Sequence, residues 1–551
     1  MSKNVFIKTI TPVHIGSGKK IFDIEFLIDK EFLYRHDFNY LCEIAYQIGS
    51  EKFIKWVEEI TQKMSQNGIK LDKLAELRRK FISHITNLSN NTIKKQDILK
   101  KSKYKIFCPT LGKKTELLEG IKTPSNELYI PGSSIKGAIR TALLNRAIKK
   151  LDNQIINNIK NKINKQINDI NNINDENKRI RKKKGIKNVV GNFFENEIFY
   201  CGVLKSRKDG DYISYKDEKY DLLKIISISD SSSVPCDEYG QVCLIDLFKN
   251  NDDEQRQTPA VECIKSNTNL ESIISIDTNF VKMAKRLLFS DNNQKTFGRK
   301  IWIDFKNKFE RLFELSLQDL NDENIENEIL NSIFNAVSEF ANDLKEKELK
   351  WFTRKSEKNQ GFFKYIEDYY TLNIKNSCIR LGYGTGFVGM SIYLSLYNND
   401  EFKDTYKKLL EFLDIGAPQN KPDNWELKLS NFPTSKRLHS DGQNIMVLGW
   451  IQLSLDKSEL LEIKEPNRSK KIERPKDSLK ANLKEIKDNK VIVEILEGEQ
   501  KSKETFISGF NEMRMKNLGL NFGDKIYVSL LINKNGVIEK ADYKGKVSTE
   551  C

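Results

Sequence analysis

Histidine is scarce in this chain, four residues in 551 (His14, His36, His84, His439), and proline numbers only eleven. With no H-E-x-x-H pattern and no carboxylates at metal-ligand spacing, the sequence offers no footing for metal-dependent hydrolysis. Eight cysteines (Cys42, Cys108, Cys201, Cys236, Cys243, Cys263, Cys378, Cys551) lie scattered without a C-x-x-C pair, so reduced thiols are expected rather than a structural zinc site. No run approaches the roughly 20 apolar residues of a membrane helix, and MSKNVFIKTITPVHIGSG has no apolar core followed by a small-residue cleavage site. The expectation is a cytoplasmic chain with no membrane attachment, no metal and no cofactor.

Positive charge is what the chain has in excess. Lys and Arg number 92 against 77 Asp and Glu, a formal net charge of +15. Such an excess suits a polyanion, because neutralising phosphates releases their counterions. A general bias towards Lys, Asn and Ile is the competing cause. The hydrophobic fraction, 38% with 10% aromatics, is enough for packed cores, and 551 residues exceed a single one.

Residues 3 to 13 alternate apolar and polar and stop at Gly16-Ser17-Gly18, after which Ile21 to Ile28 reads as a second strand. From 38 to 103 the spacing turns helical (Phe53, Trp56, Val57, Ile60), and strand character returns at Tyr104 to Cys108. Leu128 to Leu144 reads as strand, turn and helix, with Ser133 or Ser134 as N-cap and Ile135, Ile139, Leu143 and Ala147 as the buried stripe. That stripe continues through Ile155 to Ile170 and predicts one long projecting helix before the basic run Lys178 to Lys187. The run itself reads as a backbone track or as a solvated loop. Strands are expected at Leu222 to Ser229, Val242 to Phe248, Ile379 to Leu381 and Met446 to Leu455, with helices over Asn279 to Tyr370. Beyond a charged stretch at 464–476, three more strands separated by Gly-Asp and Asn-Gly turns suggest a small β-barrel, with the OB fold as one form. The fold class is therefore α+β, divided as 1–277 (with helical insertions at 38–103 and 148–190), 278–460, a linker at 461–477, and the barrel at 478–551.

Three glycine loops carry the chemical interest: His14-Ile-Gly-Ser-Gly-Lys-Lys, Pro131-Gly-Ser-Ser-Ile-Lys-Gly and Arg380-Leu-Gly-Tyr-Gly-Thr-Gly-Phe-Val-Gly. Each sets bare backbone beside positive charge, which suits a phosphate, although any one is also a plain tight turn. Lys136 and Arg140 are four apart on a helix, so an anion between them would relieve a like-charge contact; a solvated face is the alternative. Gly384-Thr-Gly-Phe-Val-Gly satisfies G-x-G-x-x-G, but the strand and acidic residue that a dinucleotide site needs do not follow. His14 suits acid–base work in metal-independent RNA cleavage or a structural hydrogen bond. Tyr383 and Phe387 suit base stacking or core packing.

Read together, Thr11-Pro-Val-His-Ile-Gly-Ser-Gly, Tyr129-Ile-Pro-Gly-Ser-Ser-Ile-Lys-Gly-Ala-Ile-Arg-Thr-Ala-Leu, Ile228-Ser-Asp-Ser and Leu381-Gly-Tyr-Gly-Thr-Gly-Phe resemble the RAMP superfamily. With Leu448-Gly-Trp-Ile, their order is similar to the family of Csm-complex subunits that caps the 3′ side of the guide RNA in type III-A CRISPR effectors. The resemblance spans about residues 1 to 460. It implies two ferredoxin-like (RRM-type) domains, a role in crRNA maturation without nuclease activity, and antiviral defence as the setting. The implied partners are crRNA, other Csm subunits, above all the repeated backbone subunit, and host ribonucleases. By motif, the RNA contacts fall on His14, Gly16, Ser17, Gly18 and Lys19; on Gly132, Ser133, Ser134, Lys136 and Arg140; and on Arg380, Gly382, Tyr383, Gly384, Thr385 and Gly386, with no catalytic residue. The alternatives are an endoribonuclease using His14, another RAMP subunit of a type III effector, or an interaction scaffold.

Overall fold

The computed structural model describes most of the chain; outside the description lie 61–94, 112–115, 208–209, 215–217, 250–255, 290–298, 359–362, 419–420, 441–444, 467–477, 534–536 and 547–551, with shorter gaps chiefly within 38–60. Most of the insertion expected at 38–103, much of the linker and the Asn-Gly turn thus fall outside the described residues. The chain forms two compact units, one of Met1–Leu344, Lys375–Arg437 and Leu448–Leu461, the other of Lys345–Ile374, Leu438–Val447 and Glu462–Cys551. Both mix helices and strands.

The first unit is organised by its opening strand. In Ser2–Thr9 the side chains of Val5 and Ile7 turn inward, as strand alternation requires. The strand lies mid-sheet in the order Cys378–Arg380, Trp450–Ser454, Ser2–Thr9, Asn269–Ile276, Ile226–Ile228, every pairing antiparallel. Helices cover one face: Ile135 and Ile139 of Gly132–Lys149 and Ile333 and Val337 of Ile325–Lys358 converge on Val5, Ile274 and Leu453. A second, mixed sheet of seven strands runs Gly16–Phe22, Glu116–Gly120, Ala260–Ile264, Gly240–Cys243, Tyr104–Phe107, Phe32–Arg35, Phe26–Asp29. The chain passes from one sheet to the other through residues 10–15, so that crossing point is fixed on both sides.

Three local expectations need correction. Neither Ser133 nor Ser134 caps the helix, which starts at Gly132; the Asp230 carboxylate accepts from the Gly132 amide at 2.8 Å instead. The single projecting helix is three: after Gly132–Lys149 come Asn153–Asn171 and Glu176–Ile198. The first break falls at Lys150-Leu151-Asp152, where Asp152 takes the N-cap position, which Asp favours over a helix interior. Ile156, Ile159, Ile163 and Ile170 are buried, so this hairpin packs rather than projects, and the basic run is helical rather than a loop. Finally, Leu222–Ile225 is a 3₁₀ turn, and only Ile226–Ile228 is strand.

In the second unit five antiparallel strands run in the order Glu504–Phe506, Lys490–Ile495, Leu479–Lys487, Lys525–Ile532, Ile538–Lys546. The two outer strands meet where Ile507 bridges Ala541 in parallel, with the Ser508 amide donating to the Ala541 carbonyl at 2.8 Å. Ala481, Leu483, Val491, Val493, Ile495 and Val528 form its core.

Candidate nucleic-acid interface

After Ser2–Thr9 the backbone is tied to the closing strand: the Ile10 amide donates to the Trp450 carbonyl at 2.8 Å, and the Trp450 amide to Thr11 Oγ1 at 2.9 Å. This fixes His14, whose Nδ1 lies 2.6 Å from the Glu262 carbonyl oxygen. A carbonyl can only accept, so Nδ1 carries the proton and Nε2 is left as an acceptor. Burial lowers the imidazole pKa below 6.5, against the upward pull of Glu262, so His14 is neutral at pH 7.

Beneath it sits a fully buried carboxylate. Glu262 accepts from the Gly120 amide at 3.0 Å, from Tyr104 Oη at 2.9 Å and from the Lys122 ammonium. Burial and Glu262 together push the Tyr104 hydroxyl far above its ordinary range, so it stays a donor.

The third glycine loop locks onto the first through main chain. The Tyr383 amide donates to the His14 carbonyl at 2.9 Å, and a Cβ on Gly382, whose φ is +73°, would lie 2.3 Å from that same oxygen. Gly449 (φ +93°) permits an equally close approach to the Leu381 carbonyl, 2.1 Å from where its Cβ would stand. Arg380 is buried and acts as a brace, donating to the Leu448 carbonyl at 2.9 Å and the Gly384 carbonyl at 2.8 Å. Thr385 Oγ1 closes the turn on the Gly382 carbonyl at 2.8 Å, and the Tyr383 ring meets the His14 ring edge to face at 5.7 Å.

These loops wall a cleft of about 1360 Å³. It collects His14, Gly16, Gly18 and Lys19 from the first loop, Ser134 from the second, and Arg380, Gly382, Tyr383, Gly384, Thr385 and Gly386 from the third. Ser17, Gly132, Ser133, Lys136 and Arg140 are not part of its lining. Ser17 donates to Glu119 at 2.8 Å, Ser133 is exposed, and Gly132 is pressed on the main chain at Ile228 and Ser229, where a Cβ would come within 2.2 Å of an oxygen. Lys136 donates to the Ile226 carbonyl at 2.7 Å. Arg140 bonds Asp221 at 2.6 Å and Glu195 at 3.3 Å while lying 3.9 Å over the Phe199 ring. These two cations are engaged by protein, which corrects the picture of an anion held between them; the helix faces the cleft with Ser134, Gly137, Ala138 and Thr141.

The cleft also takes Lys20, the end of the first loop, and members outside the three loops, among them Met390, Lys436 and Arg437. Arg437 stands 5.5 Å over the Tyr383 ring, and neither it nor Lys19 has an acidic partner among the described residues. Glycines 18, 137 and 386 leave open space where a side chain would stand. Phe387 is half-buried in the wall, edge-on to Phe432 at 5.6 Å. Among the described residues no three His, Cys, Asp or Glu side chains cluster to hold a metal ion, and no helix is long and apolar enough to cross a membrane. The surface so assembled sets bare backbone, hydroxyls, cations and an acceptor imidazole among apolar side chains such as Leu118, Leu247, Phe387 and Met390 and one carboxylate, Glu119; its polar and aromatic members suit a ribose-phosphate strand.

A model of the RAMP superfamily matches residues 6–516 of the chain. A curated protein from Methanocaldococcus jannaschii named "CRISPR system Cms protein Csm5" is 23% identical over 470 residues, 83% of this chain and 89% of that one. Among solved structures, a chain of a Csm-crRNA-target RNA ternary complex of a type III-A CRISPR-Cas system superposes with a TM-score of 0.53 at 19% identity, covering 82% of this chain and all of its own. T. onnurineus Csm5 gives a TM-score of 0.47 at 18% identity, over 81% of this chain and 99% of that one.

Proposed function

The chain belongs to the RAMP superfamily, and from that membership we propose that it is an RNA-binding subunit of a type III-A CRISPR (Csm) effector, holding the 3′ side of the crRNA in the glycine-walled cleft without cutting it. The sheet around Ser2–Thr9 reads as a ferredoxin-like unit, since strands 2–9, 226–228, 269–276 and 450–454 alternate with helices in βαββαβ order. The five strands of the second unit read as an OB-like barrel closed at Ile507 and Ala541. The Csm subunits, first the repeated backbone subunit, are the protein partners, host ribonucleases trim the guide, and the cytoplasm is the compartment.

The observation that carries this reading is the convergence of residues 14–19 and 380–386 on one cleft with Lys19 and Arg437 at its wall. Phosphates meet cations and open glycine backbone there, and His14 Nε2 can accept from a 2′-hydroxyl, the group that separates RNA from DNA. The test is affinity for guide-length single-stranded RNA at two salt concentrations. Each phosphate neutralised steepens the log–log salt dependence by about 0.7, so affinity must fall with salt, and Lys19→Gln/Arg437→Gln must lower the affinity while making that dependence shallower by about 1.4. No binding, or tight binding indifferent to salt, rejects the reading.

One observation favours a second reading: a neutral imidazole with an acceptor nitrogen at a cleft is also poised as a general base. Incubating the protein with repeat RNA in chelator separates the two. Cleavage that disappears in His14→Ala makes it an endoribonuclease, whereas intact RNA retires that idea.

A further inference from the structure

The cleft cations are few beside a charge excess of +15, and the densest run of positive charge lies elsewhere, on the helix Glu176–Ile198. There Lys178, Arg179, Arg181, Lys182 and Lys184 are exposed, and none has an acidic partner among the described residues. At 100° per residue, Lys178, Arg181 and Lys182 form one stripe, so like charges three and four apart repel one another, while Arg179, four before Lys183, shares that residue's side. Lys183 falls on the other side of the helix. It pairs there with Asp414 and lies 5.4 Å over the Phe412 ring, which fixes the side that packs and leaves the stripe outward. Asp414 is followed by Ile415 and Gly416, both of which line the cleft. The helix is thus pinned at the cleft's own wall.

We propose that this stripe is a second track for the same RNA strand: a chain held in the cleft leaves it past Ile415 and Gly416 and runs along Lys178, Arg181 and Lys182. The inference rests on the RNA reading of the cleft and extends it. Continuity with the cleft favours RNA over an acidic protein, and a flexible polyanion can follow a helical stripe that presents charge without pockets.

The test uses the full chain and two single-stranded RNAs, one of about 6 nucleotides to occupy the cleft alone and one of about 30 to reach beyond it. The variant carries Lys178→Gln, Arg181→Gln and Lys182→Gln. These side chains are exposed, so it should fold, and its thermal midpoint should equal or exceed that of the parent because repulsion is relieved. With about 0.7 of log–log salt slope per contact, three lost contacts lower the slope for the long RNA by about 2 and its affinity at low salt by about 10-fold. Binding of the short RNA should not change. An unchanged slope and affinity for the long RNA overturns the track and leaves the cleft reading standing, and equal losses for both RNAs overturn it as well. If the parent binds neither RNA, the cleft reading itself falls.

Discussion

Replacing Lys122 with methionine should unfold the floor of the cleft before anything else. Glu262 is fully buried and Lys122 nearly so, their side chains 0% and 7% exposed, so the pair has little water to fall back on. Removing one partner of a buried pair leaves an uncompensated charge and costs about 3–5 kcal/mol. The Gly120 amide and Tyr104 hydroxyl stay on the carboxylate at 3.0 and 2.9 Å, which sets the expectation at the lower end, about 3 kcal/mol. Urea unfolding followed through tryptophan fluorescence should show the loss as an earlier transition, since buried Trp450 sits on the closing strand of the same unit. Lys122→Met/Glu262→Gln removes the stranded charge and should recover part of that loss. A single variant within about 1 kcal/mol of the parent, or a double variant worse than the single, would refute the reasoning. Because His14 hangs on the Glu262 carbonyl, the single variant should also weaken RNA binding below its unfolding transition.

Other outcomes follow from the same geometry. Gly382→Ala places a methyl 2.3 Å from the His14 carbonyl in a left-handed backbone, so RNA affinity should collapse in titrations while Gly137→Ala, which meets nothing within 4 Å, leaves folding intact. Arg140→Gln should lower stability by about 1–3 kcal/mol in denaturant titrations through loss of its bonds to Asp221 and Glu195, with RNA affinity unchanged. His36 has no hydrogen-bond partner on either ring nitrogen among the described residues, and burial, then Arg35, lowers its pKa from 6.5 to about 4. The unfolded chain therefore takes up this proton first, so stability is whole above pH 6.5 and declines by up to about 3 kcal/mol as pH falls to 4; His36→Phe should flatten that decline in thermal melts.

Much of this was legible because strand alternation and glycine spacing are local signals. Val5 and Ile7 mark the central strand without help from the rest of the chain, and the glycines of the third loop announce a backbone that needs positive φ. What the sequence did not disclose is which strands meet: Trp450–Ser454 pairs with Ser2–Thr9 across more than 440 positions, a partnership set by burial of both faces rather than by any neighbouring residue. The seven-stranded sheet was hidden for the same reason, its parallel pairings joining segments far apart in the chain.

The second glycine loop marks a limit of reading charge from spacing alone. A separation of four places Lys136 and Arg140 on a common helix face, but it does not say what that face meets. In projection, Ser134, Gly137, Ala138 and Thr141 fall within about 100° of one another and Lys136 and Arg140 roughly opposite, so a helix that turns the first set to the cleft must turn the cations away. The cations then meet the Ile226 carbonyl, Asp221 and Glu195, and the glycines of this loop do two other things: Gly132 lets the helix start touch Ile228, and Gly137 leaves the cleft wall bare. Positive charge for a ligand has to enter from elsewhere in this cleft, from Lys19 on one wall and Arg437 over Tyr383 on another. That division of labour, with helix residues shaping the wall and loop residues carrying the charge, is why neutralising Lys19 and Arg437 should weaken RNA binding while neutralising Arg140 should only weaken the fold.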